Sequence, residues 1–162
     1  DQVNKINSLV NIRDVEEKMP ASFRLLTASD RKEAGQLVER LLEKSIEKKK
    51  KIKEVLKMVE AAAASNKSSI IFEGDSSWEL ILLGVAAAIL AQKYQRPVFL
   101  YRKDKTDSQG SIRAPRGYNV VEAMKSCSKC LETYGGHAQA AGFRVKNKNL
   151  EKFKECLIEY YE

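Results

Sequence analysis

The greatest chemical capacity in this chain is concentrated in Tyr134-Gly135-Gly136-His137-Ala138-Gln139-Ala140-Ala141-Gly142-Phe143, which holds its one histidine and three of its eight glycines. Gly135 and Gly136 tolerate positive φ, and consecutive free N–H groups in such a turn form a concave anion site. His137 adds a ring N–H, or a positive charge near neutral pH, at the lip of that site. The plainer reading is a β-turn with a buried, satisfied histidine. Against it stands the run from Ala138 to Gly142, five positions without a bulky side chain just before an expected strand. The expectation is therefore a glycine–histidine loop with an amide-lined notch.

A second cluster, Cys127-x-x-Cys130 with His137 and Cys156, has to be weighed as zinc. It lacks the second paired-ligand motif of such sites, and Cys127 falls on a core position by helical period. The expectation is no metal in this chain. A two-metal phosphoesterase centre needs clustered Asp and His, and one histidine does not supply it.

The elements around these residues follow from periodicity and punctuation. From Ser29 to about Ala64 the chain reads as one long helix, capped by Ser29 or Asp30. Its seam of Ala34, Val38, Leu41, Ile52, Val55 and Val59 is interrupted at Ser45 and Lys48, and Lys48 to Lys51 wind around an exposed bridge. Ser69 to Glu73 is a short strand, with Asp75 or Ser77 capping the next helix. Trp78 to Tyr94 is a helix apolar nearly all round, expected to be covered on more than one side. Val98 to Tyr101 follows as a strand, so that strand, helix and strand make a βαβ unit with a parallel pair. A charged loop, Arg102 to Gly110, leads to a third strand over Gly110 to Ala114. Asn119 with Glu122 opens a further helix. After the glycine–histidine loop come a strand over Ala141 to Val145 and a last helix capped by Asn149.

At 162 residues, 43% hydrophobic and 31% charged, the chain is long enough for a real core and ordinary for a globular protein. Its 29 basic and 22 acidic residues give a net charge of +7, which favours a polyanionic partner modestly. Three cysteines, an odd number, argue against a disulfide framework and for a reducing, cytoplasmic setting. Leu80 to Ala91 is too short an apolar run to span a bilayer. The first residue is not Met, which suggests a piece of a longer protein.

Gly-Gly-His-x-x-Ala-Ala-Gly-Phe, reached through Cys127-Ser128, resembles the signature of the DHH-associated domain, the C-terminal lobe of the DHH phosphoesterases. With Gly110-Ser111-Ile112-Arg113, Gly117-Tyr118 and Glu122-Ala123, the context is most similar to the RecJ-like single-strand exonucleases. The resemblance covers residues 68 to 158 well and the first 65 more loosely, with Ile6-Asn7-Ser8 similar to part of the family's connector. Departures occur at Glu79-Leu80-Ile81 and Ile89, where the family usually has His-Pro-Gly and an Arg.

The resemblance implies a substrate-binding lobe whose catalytic half, carrying Mn²⁺ or Mg²⁺, lies outside this chain. It assigns Arg113 to bidentate phosphate binding. His137, Gly135, Gly136, Gly142 and Ser111 are candidate phosphate contacts, with Arg116 and Arg144 as neighbours. The expected fold is α/β, a mixed, mostly parallel sheet of four or five strands flanked by helices and preceded by one long connector helix. Residues 1–28 would be an interdomain connector, 29–66 the linker helix and 67–162 the substrate-binding domain. The partner would be single-stranded DNA, with RNA as an alternative, and the parent a 5′ to 3′ exonuclease. Two rivals stand beside this reading. One is a DHH phosphodiesterase of short oligonucleotides or cyclic dinucleotides; the other is a catalytically inactive scaffold in a replication or repair complex.

Overall fold

A computed structural model of the chain describes residues 12, 15–16, 19–63 and 68–162. The connector-like Ile6-Asn7-Ser8 lies outside them. The chain divides into two compact units, residues 1–51 and 52–162. In the first, a two-residue strand pair, β1 (Val15–Glu16) and β2 (Met19–Pro20), precedes α1 (Ala21–Thr27). The first part of α2 (Arg31–Ala63) follows, and Ile12, Ala21, Leu37 and Leu41 form the small core. The Asp30 carboxylate accepts from the N–H groups of Lys32 and Glu33 at 3.1 and 3.3 Å, the cap expected from sequence. The seam of α2 is buried at Leu37 and Leu41 and again at Val55, Val59 and Ala63. Ser45, expected to interrupt it, is itself buried, since a small hydroxyl side chain fits where Lys48 does not.

The second unit is built on a five-stranded sheet in the order β3-β4-β5-β7-β6. Its strands are β3 (Ile71–Asp75), β4 (Val98–Lys103), β5 (Asp107–Arg113), β6 (Leu131–His137) and β7 (Ala140–Lys146). Strand number and flanking helices agree with expectation; strand direction does not. Only β3–β4 is parallel, joined through α3 (Leu80–Tyr94), and the other three pairings are antiparallel. For β4–β5 and β6–β7 the reason is connection length. A parallel crossover takes a dozen or more residues, whereas β4 turns into β5 over residues 104–106 and β6 into β7 over 138–139. The charged loop expected from Arg102 to Gly110 is therefore mostly ladder.

Paired residues share a face, so register sorts the side chains. On one face, Ile71, Val98 and Leu100 pack under Leu83, Ala86, Ala87 and Leu90 of α3, with Val55 and Val59 of α2. On the other, Phe72, Phe99, Ile112 and Phe143 pack against Met124 of α4 (Val120–Ser126) and Phe153 and Leu157 of α5 (Leu150–Tyr161). Asn119 caps α4 by accepting from the Glu122 N–H at 3.3 Å. Asn149 instead donates its side-chain amide to the Cys130 carbonyl at 3.3 Å, and Asp75 closes a local turn by accepting from Ser77 rather than capping α3.

One cysteine expectation is corrected. Cys127 and Cys156 form a disulfide, with Cα atoms 5.9 Å apart, because the end of α4 and the middle of α5 meet in the same core. Cys130 is left as a free thiol.

Glu73 on the edge strand β3 is half-buried, and burial raises its carboxyl above the usual carboxylate range while Lys154 opposes that rise. The folded chain thus holds this proton more tightly than the unfolded chain does. Stability falls as pH rises from the ordinary carboxylate pKa to the folded one, and the cost persists at neutral pH. Glu73→Gln should stabilise the fold at pH 7, by up to roughly 0.5 kcal/mol for a group still half in solvent, and raise the melting temperature accordingly. At pH 3, where both side chains are neutral, paired thermal melts should show no difference.

Candidate functional site

The pairings bring the candidate residues from three strands to one face. Arg113 lies opposite Ala140, and Ala140 opposite His137, so the three form a row across β5, β7 and β6. Two strand spacings separate the Cα atoms of Arg113 and His137, about 10 Å. The row two residues further along reads Ser111, Gly142, Gly135. Both rows continue into Val98 and Leu100, which fixes them on the face that α3 occupies. α3, however, lies over β4 and β5. Beyond it, Gly135 and His137 are exposed and Ala140 and Gly142 half-buried. A shelf of small residues results, walled on one side by α3.

Arg113 sits at the foot of that wall. Its Nη1 donates to the Ile112 carbonyl at 2.7 Å. Its Nη2 comes within 3.0 Å of where a Cβ on Gly84 would stand, so Gly84 is what lets the guanidinium lie against the helix. Arg113 and Arg116 line a cleft of about 680 Å³ with Ala88, Gln92, Gln139 and Ala140. Among the described residues no carboxylate lies within ion-pair distance of Arg113, Arg116 or His137. At the other end of the same strands the cations are paired: Arg144 with Asp107 at 3.4 Å and Lys146 with Glu132 at 3.6 Å. Unpaired guanidiniums in a cleft are suited to an anionic ligand.

The Gly-Gly-His segment is not the loop expected from sequence. It forms the end of β6, the outermost strand, and only Gly136 has positive φ, at 147°. The amide-lined notch is therefore replaced by a flat glycine floor and an exposed strand edge. The turn after His137 is held from both sides: the Ala114 N–H donates to the Gln139 carbonyl at 3.0 Å and the Val120 N–H to the Ala138 carbonyl at 2.9 Å. These bonds fix His137 relative to the end of β5. A zinc site uniting His137 with Cys130 fails on geometry, since β6 runs extended between them for roughly 20 Å. Cys127 is moreover committed to its disulfide.

Trp78 is buried with Leu83 and Val59, the core position that its sequence context favours over base stacking. One feature escaped the sequence reading: α3 is not covered on all sides, since Ile81, Val85 and Ile89 are exposed. The signal was present in their spacing, but an all-apolar helix hides which stripe faces outward.

The family model described as the DHHA1 domain matches residues 66–162. The chain is 27% identical over 151 residues to the single-stranded-DNA-specific exonuclease RecJ of Bacillus subtilis, covering 90% of this chain and 19% of that protein. Crystal structures of RecJ from Thermus thermophilus in complex with Mg²⁺ and with Mn²⁺ superpose with TM-scores of 0.78 and 0.77. Each is 27% identical and covers 87% of this chain, against 22% and 21% of the solved chains. The chain thus spans about a fifth of the length of these relatives.

Proposed function

This chain belongs to the DHHA1 domain family, and from that premise we propose that it is the substrate-holding lobe of a RecJ-like single-strand exonuclease. In this reading residues 67–162 grip the phosphates of single-stranded DNA, 29–66 form the linker helix and 1–28 the connector toward a DHH catalytic lobe of the same parent. That other lobe would hold Mn²⁺ or Mg²⁺ and hydrolyse the strand 5′ to 3′. Among the described residues of this chain no group of three or more His, Cys, Asp or Glu is placed to hold a metal.

The observation that supports the reading most is the row Arg113–Ala140–His137 beside Arg116, three cationic or proton-bearing groups around a floor of small residues. A phosphate held by Arg113 and Arg116 leaves the next sugar–phosphate over Ala140 and Gly142, where no side chain obstructs it. Ser111 and His137 then supply donors along the same face. Holding the strand at several points fixes the position of the scissile bond, which is what a clamp contributes to catalysis elsewhere.

The test is fluorescence anisotropy of this chain with a labelled single strand. Binding should be weak and should fall with salt, log K changing by about −0.7 per phosphate contact for each decade. Adding Mn²⁺ or Mg²⁺ should produce no cleavage. Linear or cyclic dinucleotides should compete poorly. Absence of binding at low salt counts against the reading, and efficient displacement by a dinucleotide would move it to a short-substrate phosphodiesterase.

A further inference from the structure

Resting on that reading of the site, we propose that the outward face of α3 is the rail on which the bases of the bound strand lie, while Arg113 and Arg116 hold its phosphates. Ile81, Val85 and Ile89 are 47%, 43% and 42% exposed. They recur at i, i+4 and i+8 and so form one stripe, about 12 Å long. That length accommodates about three bases at the stacked spacing of 3.4 Å.

What lies beside the stripe selects its occupant. The Arg113 guanidinium packs against Gly84, the neighbour of Val85 in sequence. Ala88, on the next turn, lines the cleft together with Arg113 and Arg116. A partner must therefore present flat apolar surface and anionic groups close together. Single-stranded nucleic acid does so in every nucleotide. An apolar protein surface, such as a second copy of this helix, would leave both guanidiniums without anions. Because the stripe carries no hydrogen-bonding group, it cannot read base edges, and contact with it is tolerant of sequence.

The experiment compares an oligothymidine with a fully abasic strand of equal length, by anisotropy at low salt. Wild type should bind the base-bearing strand about tenfold more tightly. The double change Val85→Ser with Ile89→Ser should remove most of that difference and leave affinity for the abasic strand within about twofold. Circular dichroism melts check the fold; if the double variant melts early, the near-isosteric Val85→Thr replaces it with the same expected sign. Equal wild-type affinity for the two strands overturns the inference, as does an equal loss on both in the variant. So does a wild-type dimer in sedimentation that the serines dissolve. Failure of wild type to bind either strand overturns the phosphate-clamp reading and this inference with it, whereas strong but base-independent binding overturns this inference alone.

Discussion

Arg113→Ala should lower affinity for single-stranded DNA by about tenfold or more, the expected cost of removing a charge-assisted contact of roughly 1.5–3 kcal/mol. The same change should make the salt slope shallower by about 0.7, one phosphate contact fewer. The fold should survive it, because the side chain is half-buried and its hydrogen bond goes to the adjacent Ile112 carbonyl. Arg113→Lys separates charge from shape. Lysine retains the slope but lacks the planar fork, so its affinity should fall between wild type and alanine. Titrations at several salt concentrations check all three. Unchanged affinity and slope in the alanine variant would remove Arg113 from the clamp and leave Arg116 as the remaining cation of the cleft.

Much of this arrangement was legible in the sequence, for identifiable reasons. The strand–helix–strand unit around α3 announced itself because Gly, Ser and Pro punctuate it and its helix is long. The caps at Asp30 and Asn119 depend only on neighbours within three residues. Arg113 and His137 were singled out by motif, and their common face follows from register. Register itself was not readable. Whether Gly135 opposes Gly142 or its neighbour depends on a two-residue turn, a bulge between Leu131 and Thr133, and the tethers at Ala114 and Val120. A one-residue slip would have put His137 on the opposite face.

The parallel majority was expected because one βαβ unit was generalised, although the short connections after β4 and β6 already argued against it. Gly-Gly was read as a turn because glycines commonly mark one. Here, paired against Ala141 and Gly142 at the sheet edge, they lie within a strand. The disulfide depends on two helices meeting across 29 residues of chain, which no local spacing reports.

The two glycines of β6 should respond to alanine in opposite ways, and the difference distinguishes folding from function. A Cβ on Gly136 would stand 2.4 Å from the Ala140 carbonyl oxygen and 2.5 Å from the Ala141 Cα, backbone atoms that cannot move aside cheaply. Its φ of 147° adds conformational strain for any L-residue with a side chain. Gly136→Ala should therefore cost about 2 kcal/mol or more and loosen the edge strand that carries His137. Gly135 is different. A Cβ there meets nothing within 4 Å, and φ is not positive. Gly135→Ala should leave the melting temperature nearly unchanged. If the glycine floor is where the strand's backbone rests, however, the added methyl intrudes on the ligand and affinity should fall several-fold. Denaturation midpoints and anisotropy on both variants read the two effects independently. A Gly135→Ala protein that binds as wild type does would mean that the strand passes over Arg113 without descending onto β6, and His137 would then lose its place among the contacts.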